Sequence, residues 1–207
     1  MLRTALASAL LLLCGWAAGA WLTLDYEVWT DEGARRLQVA RQPVPVPAVT
    51  VQDSSGTTLP LPTLLAEGGG VSIVDFFYTR CETVCLSLGS SFQQLQAALQ
   101  AEPATGVRLL SISFDGARDR PADLAAYARR LHADPTRWRF VRLPDAAQEQ
   151  ALLQRLGVVV VPTGQGDFEH NAALLVFNAQ GRMVRVFDLA EQELALNYAR
   201  HLAGAGP

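Results

Sequence analysis

The chain has 207 residues, of which 50% are hydrophobic, and a formal net charge of −3 at pH 7. This length accommodates one core-bearing domain with additional segments and disfavours an even division into two domains. The negative charge and the scattered arginine doublets, such as Arg35-Arg36, disfavour a protein that binds a nucleic-acid backbone. All 17 basic residues are arginine, which is typical of a GC-rich bacterial gene.

Residues 1–24 are predicted to be a membrane anchor or signal segment. No charged side chain occurs between Thr4 and Leu24, and a helix of this length spans the roughly 30 Å of a bilayer's hydrocarbon core. Arg3 precedes the segment and four acidic residues follow it within positions 25–32, which favours a cytoplasmic N-terminus and an exported remainder. Cleavage after the small residues 18–20 is the alternative. In both cases we expect the globular part in the periplasm, on the inner membrane if the anchor stays uncut.

Residues 25–45 are predicted to be a Pro-rich linker, because the run QPVPVP favours extended, solvated backbone. The remaining residues, 46–207, form the predicted folded domain.

Within that domain, the hydrophobic pattern alternates between strands and helices. Buried or half-buried strands are predicted over residues 48–53, 71–79, 107–114, 138–143 and 158–161, the last ended by Pro162. Amphipathic helices are predicted from Val84 to Leu99, after Pro121, over residues 146–157 and from about Glu191, and a hairpin is predicted from ALLVFN and RMVRVFDL. This order indicates an α/β fold with a central mixed sheet flanked by helices, as in thioredoxin-like proteins.

The stretch TRCETVC places Cys81 and Cys85 at the first strand-to-helix junction, the edge of such sheets where ligands collect. The two cysteines are one helical turn apart, so both sulfurs can face the helix start, where free N–H groups and the dipole favour thiolates. A disulfide closing so short a loop adds little stability. A structural disulfide is therefore the least favoured interpretation, and a redox pair and a metal site both stay open. The third cysteine, Cys14, lies in the predicted anchor.

His170 directly precedes the predicted hairpin strand, which in this topology lies beside the cysteine junction. Two thiolates and one imidazole suit Cu(I), accept Cu(II) with some rearrangement, and bind Zn(II) if a fourth ligand is present. A loop histidine with no ligand role is the alternative.

Four blocks, TRCETVC, SFDGARDRPADLAAYARRL, WRFVRL and FEHNAALLVFNAQG, resemble in order and separation those of the Sco/SenC copper-binding assembly proteins of cytochrome oxidase. The resemblance covers roughly residues 29–190. It implies a membrane-tethered, thioredoxin-like protein that binds a copper ion through Cys81, Cys85 and His170. It also implies a metallochaperone that assembles the binuclear copper site of a respiratory cytochrome oxidase, with the copper-receiving subunit as its partner.

By the same resemblance, Asp115 corresponds to the family aspartate near the metal site. The chain departs from the family where proline is usual, at Glu82, Leu86 and Gly116. We expect Asp119 to serve the start of the following helix.

Asp75 lies six residues before Cys81, the spacing at which thioredoxins keep a buried acid. A buried carboxyl group has a raised pKa and can relay a proton; the alternative is a strand-edge aspartate paired with a neighbour. Asp75 thus supports a second function, an exported thiol:disulfide oxidoreductase in which Cys81 attacks, Cys85 resolves and Asp75 moves the proton. His170 discriminates between the two functions, since only the metallochaperone requires it.

Overall fold

The computed structural model describes residues 2–23, 25–81, 84–101, 106–164 and 166–204, with the backbone alone for residues 84–87. The chain divides into two compact units, residues 1–41 and 42–207. Each unit is described separately below.

The first unit contains two helices, α1 (Leu2–Leu22) and α2 (Asp31–Arg41). By length and composition α1 can cross a membrane, as can a signal sequence of the same kind, and it is the only such helix in the described part of the chain. Within the predicted linker, α2 was not anticipated. The Thr30 hydroxyl accepts a hydrogen bond from Gly33 N at 3.0 Å, and acidic residues occupy the first turn. These capping features start the helix, and the neighbouring Pro-Val run obscured them.

The described residues of the second unit form ten strands and five α-helices. The strands are β1 (Val44–Pro45), β2 (Thr50–Asp53), β3 (Thr58–Pro60), β4 (Val71–Phe77), β5 (Val107–Ser113), β6 (Trp138–Arg142), β7 (Val160–Gly164), β8 (Asp167–His170), β9 (Leu174–Phe177) and β10 (Arg182–Phe187). The helices are α3 (Leu61–Ala66), α4 (Val84–Ala101), α5 (Pro121–Arg130), α6 (Ala146–Leu156) and α7 (Gln192–Gly204).

Eight of these strands form one mixed sheet in the order β1-β10-β9-β4-β5-β6-β2-β3. The central strands β4, β5 and β6 are parallel, while β9 and β2 flank them antiparallel. The predicted order of strands, helices and hairpin is confirmed. The structure adds β3, α3 and β8 to it, and at one edge of the sheet β1, within the predicted linker, pairs with β10 through Val44 and Met183.

The core lies on both faces of this sheet. All seven residues of β4 are buried, as its continuous apolar run predicts. On one face, Phe77 packs on Tyr127 of α5 with ring centroids 4.7 Å apart, and Trp138 packs on Phe92 of α4 at 5.5 Å. Helices α4 and α5 therefore cover the same face of the sheet. This is expected, because α4 connects β4 to β5 and α5 connects β5 to β6, and right-handed connections that proceed in one direction across a sheet place their helices on one face.

Strands β7 and β8 form a separate two-stranded hairpin outside the main sheet. The predicted strand end at Pro162 is wrong, because β7 continues through Pro162, which is opposite Phe168 of β8. A two-stranded ribbon has open edges, and proline is tolerated in an edge strand because its missing N–H leaves no partner unsatisfied. The hairpin ends at His170, so it carries the predicted histidine ligand.

Candidate functional site

Cys81 follows the carboxyl end of β4, where a turn connects the strand to α4. Its amide N donates to Tyr78 O at 3.3 Å, and only 7% of the residue is exposed. Cys85 is the second residue of α4, so its backbone lies in the first helical turn, where the helix dipole favours an anion. The Cys85 side chain and all of Glu82 are outside the described residues, and the pairing of the two sulfurs stays a prediction.

The turn that leads into Cys81 is held by the polar groups of Thr79. Its amide donates to Asp119 Oδ2 at 2.9 Å and its hydroxyl to Asp119 Oδ1 at 2.5 Å. Its carbonyl accepts from Arg130 Nη2 at 3.2 Å. All polar groups of Thr79 are thus hydrogen-bonded, which fixes the backbone just before the cysteine.

Asp119 therefore has a role that differs from the expected one. Its carboxylate, 1% exposed, also accepts from the Ser113 hydroxyl at 2.6 Å, while Arg120 is the residue that precedes α5. The expectation that Asp119 serves the helix start is wrong, because its side chain turns back to the strand ends. Its spacing from Pro121 resembled a capping position, and no signal in the sequence shows the bond to Thr79.

Tyr78 connects the cysteine turn with the β7–β8 hairpin. Its hydroxyl accepts from Phe168 N at 3.4 Å and donates to Asp167 Oδ1 at 3.5 Å. Burial raises the pKa of Tyr78 to about 12, with smaller contributions from its hydrogen bond with Cys81 and from the charges of Cys81 and Asp167. Tyr78 thus connects Cys81, whose amide donates to its carbonyl, with the strand that ends at His170. Sequence reasoning did not single out Tyr78.

His170 is the last residue of β8 and pairs with Val160. Its ring lies edge-on to Phe114, with centroids 5.0 Å apart, and burial lowers the pKa of His170 below its ordinary value. Burial therefore favours the neutral imidazole, which is the form that binds metals. Phe114 also packs on Tyr78, with ring centroids 5.3 Å apart. The same aromatic cluster therefore contacts the turn that leads to Cys81 and the strand that ends at His170.

Asp115 is buried at the end of β5, and both of its oxygens accept from Arg118 Nε, at 2.9 and 2.7 Å. Arg118 in turn donates to Gly166 O at 2.9 Å, in the turn between β7 and β8. Asp115 thus reaches the hairpin through Arg118. A direct role beside a metal stays a prediction.

Asp75 is buried in the middle of β4 and lies opposite Ser111 of β5. Burial raises the pKa of Asp75 to about 7, partly offset by a hydrogen bond with Ser111. Ser111 also accepts from Trp138 Nε1 at 2.8 Å. The strand-edge alternative for Asp75 is wrong, because β4 is central in the sheet. Among the described residues, Asp75 Oδ1 has no hydrogen-bond partner.

The structure therefore brings Cys81 and His170 to one aromatic cluster and places Asp75 in the strand beneath it. The described side chains contain no group of three or more His, Cys, Asp or Glu close enough to hold a metal, and the third predicted ligand, Cys85, is not among them. Two of the three predicted ligands can be placed, and the complete set stays a prediction.

Comparisons with known proteins agree on one family. The family model described as SCO1/SenC matches residues 66–202. The SCO1 protein homolog of Bacillus subtilis (strain 168) is 27% identical over 144 residues, which cover 69% of this chain and 72% of that protein.

Solved structures show the same fold. ScoI of Bradyrhizobium japonicum, crystallised with copper bound, superposes with a TM-score of 0.63 at 24% identity and covers 76% of this chain and 99% of that one. BsSco, a member of the Sco family of cytochrome c oxidase assembly proteins in which a disulfide switch was identified, superposes with a TM-score of 0.67 at 22% identity, covering 79% and 95%. The predicted thioredoxin-like fold is confirmed.

Proposed function

This chain belongs to the SCO1/SenC family, as its motifs predicted, and we propose that it is a membrane-tethered metallochaperone for copper. In this proposal Cys81, Cys85 and His170 hold the ion. The client is the copper-receiving subunit of a respiratory cytochrome oxidase, where the protein assembles the binuclear copper site.

The observation that carries the proposal is the contact between two parts of the site, the turn that leads to Cys81 and the β7–β8 hairpin that ends at His170. We call these parts the two arms of the site. The Cys81 amide donates to Tyr78 O at 3.3 Å, and the Tyr78 hydroxyl accepts from the amide of Phe168, two residues before His170. A buried thiol and a neutral imidazole on neighbouring elements, with a second cysteine in the adjoining helical turn, match the soft and borderline donors that copper prefers. The donor set fits copper as cargo.

Delivery to a client requires that the site hold copper and also release it. Ligand exchange meets this requirement if client thiolates or imidazoles replace the donors one at a time. The two arms differ in how they are held. Thr79 fixes the approach to Cys81 through Asp119, whereas His170 lies on a hairpin outside the main sheet. We therefore expect His170 to leave the copper first and the thiolates to leave last.

The apolar helix α1 of the first unit supports a membrane tether. We propose that α1 stays uncut in the inner membrane, with Arg3 in the cytoplasm and the second unit in the periplasm, since positive charge favours the cytoplasmic side. A reporter that is active only outside the cytoplasm should be active when fused after residue 207. Activity only after fusion before residue 1 would contradict this orientation.

The test of copper binding uses the full chain, reduced and solubilised in detergent. Copper is titrated into the wild type, His170→Ala and a matched control, His201→Ala, whose ring is exposed on α7. We expect one equivalent bound with a thiolate-to-copper charge-transfer band, weakened by H170A and unchanged by H201A. No stoichiometric binding, or binding indifferent to His170, would contradict the metallochaperone.

A second function, thiol–disulfide exchange, is favoured by the buried Asp75. In this reaction the Cys81 thiolate attacks a partner disulfide, which forms a mixed disulfide and releases one partner thiolate. The Cys85 thiolate then attacks the Cys81 sulfur, so the Cys81–Cys85 disulfide forms, the second partner thiolate leaves, and two electrons pass to the partner. Asp75, with its pKa near 7, accepts the proton of the Cys85 thiol.

The two functions are separable by substitution. Asp75→Asn should slow the reduction of a model disulfide by the reduced chain at pH 7 and leave the copper affinity unchanged, whereas His170→Ala should do the reverse. If D75N leaves the reduction rate unchanged, Asp75 is not the relay.

A further inference from the structure

We propose that Arg118 positions His170, by fixing the β7–β8 hairpin against the Asp115 loop. We call residues 160–170 the His arm. The inference rests on the proposed function, because it takes His170 as a copper ligand. It adds a residue that touches no metal but sets where one ligand lies.

One end of this link is firmly anchored. Arg118 Nε is bonded to both carboxylate oxygens of Asp115, at 2.9 and 2.7 Å, and Asp115 is 7% exposed. The hydrogen bond to Asp115 raises the pKa of Arg118 above its ordinary value. A charge-assisted contact to a buried carboxylate holds the guanidinium in one orientation.

The other end grips the His arm at its tip. Arg118 Nη2 donates to Gly166 O at 2.9 Å, and the guanidinium carbon lies 5.1 Å from the centroid of the Phe168 ring. A Cβ at Gly166 would lie 2.7 Å from Arg118 Nη1, and Gly166 has a φ of +90°. The tip therefore needs glycine both for its backbone conformation and for the close approach of the arginine.

The His arm depends on such contacts because it is a separate ribbon. A two-stranded hairpin is at best marginally stable in water by itself, and Val161 on its outer side is 50% exposed. Tyr78 also bonds to the arm, but at 3.4 and 3.5 Å, longer than the Arg118 bond. Phe168 lies between them, stacked edge-on to Tyr78 at 5.2 Å. Of these three polar bonds between described residues, the one from Arg118 is therefore the shortest.

Loss of the Arg118 contacts should displace His170 and so weaken copper binding. Residues that orient a metal ligand without touching the metal typically change metal affinity by about 10- to 100-fold when substituted. We expect an effect of that size for Arg118→Gln, which removes the guanidinium fork and keeps a polar side chain.

The experiment uses the full chain in detergent, three arginine variants, His170→Ala and the double variant R118Q/H170A. Arg118→Gln breaks the link. Arg118→Lys keeps the charge but offers one ammonium in place of a planar fork. Arg129→Gln is the matched control, with the same change of charge at an exposed position of α5. Copper affinity is measured in each, and for R118Q also in the His170→Ala background. Hydrogen exchange of the copper-free chains is followed in peptides that cover residues 158–172 and in peptides from β4 and β5.

We expect R118Q to weaken copper binding by about 10- to 100-fold, with little additional loss in the H170A background. Exchange should become faster in the His arm and stay unchanged in β4 and β5. R118K should resemble R118Q, and R129Q should resemble the wild type. Faster exchange throughout the domain would indicate general destabilisation and overturn the proposal, as would a loss in R118Q that adds fully to that of H170A.

Equal exchange of the His arm in R118Q and R129Q would also overturn it. If the wild-type chain binds no copper, the proposed function fails, and the exchange data alone then decide whether Arg118 holds the arm.

Discussion

Replacing Asp75 by asparagine should stabilise the domain at pH 8 and destabilise it at pH 4, where the wild-type side chain is neutral. Asp75 is fully buried in the central strand, and burial raises its pKa from 3.8 to about 7. Above pH 7 the folded protein must therefore hold a carboxylate in a site that favours the neutral acid. Asparagine has nearly the same shape and carries no charge, so it removes this cost.

The magnitude follows from the shift. The pKa of Asp75 rises from 3.8 to about 7, and a tenfold change in an ionisation constant corresponds to about 1.36 kcal/mol, so ionised Asp75 costs roughly 4 kcal/mol at pH 8. The asparagine amide needs a partner, and an unsatisfied buried group costs about 1 to 3 kcal/mol. We therefore expect a net gain of about 2 kcal/mol in the free energy of unfolding.

The direction of the pH dependence follows from proton counts. Between pH 4 and pH 7 the folded state retains the Asp75 proton while the unfolded state has lost it, so stability falls as the pH rises. Above about pH 7 both states are ionised at this position and its contribution becomes constant. Glu149, whose pKa burial raises to about 7, acts in the same direction and is present in both proteins. The difference between wild type and D75N isolates Asp75.

The assay is urea unfolding of the reduced chain from residue 25 onward, at several pH values between 4 and 8.5. Asp31→Asn, at an exposed position of α2, is the control and should reproduce the wild-type slope. An advantage of D75N that is equal at pH 4 and pH 8, or a loss of stability at pH 8, would refute the reasoning. Asp75 would then be ionised in the folded state and could not deliver or accept a proton near neutral pH.

Three further outcomes are expected. Asp119→Asn should lower the free energy of unfolding by about 1 to 3 kcal/mol, because it disturbs three hydrogen bonds of a buried carboxylate. It should also weaken copper binding. Urea unfolding measures the first effect and copper titration the second. Gly116→Ala should cost more than about 2 kcal/mol, since its Cβ would overlap the Leu143 carbonyl and lie 2.7 Å from Glu149 Oε2, whereas Gly204→Ala, with open space around it, should be near neutral. Oxidation of the cysteine pair should abolish tight copper binding, because thiolates are the binding form; retained binding in a titration of the oxidised chain would contradict this.

Much of the fold was predictable because burial imposes a pattern on the sequence. The continuous apolar run of β4 can be buried only if layers of structure pack on both faces of the strand. The 3.6-residue spacing of the apolar residues of α4 requires that one face of the helix be covered. The pairing of β7 was not predictable in this way. A short run of valines has the same pattern in a central strand and in a separate hairpin, and the choice depends on which partner strand is available.

The candidate site was predictable where position along the chain determines position in space. Cys81 follows a buried strand and His170 precedes one, so the sheet topology brings them to the same region. The roles of Asp115 and Asp119 could not be assigned in this way. They lie four residues apart in a loop, and only the course of the loop directs one to Arg118 and the other to Thr79.

The loop that carries Asp115 and Asp119 shows how residues outside the predicted ligand set can organise the site. Asp119 holds the turn before Cys81, and Asp115 holds the arginine that grips the tip of the His arm. Both arms of the site are therefore fastened to one five-residue segment at the end of β5. Because both arms depend on contacts made by this segment, R118Q and D119N should each weaken the copper site proposed for Cys81, Cys85 and His170.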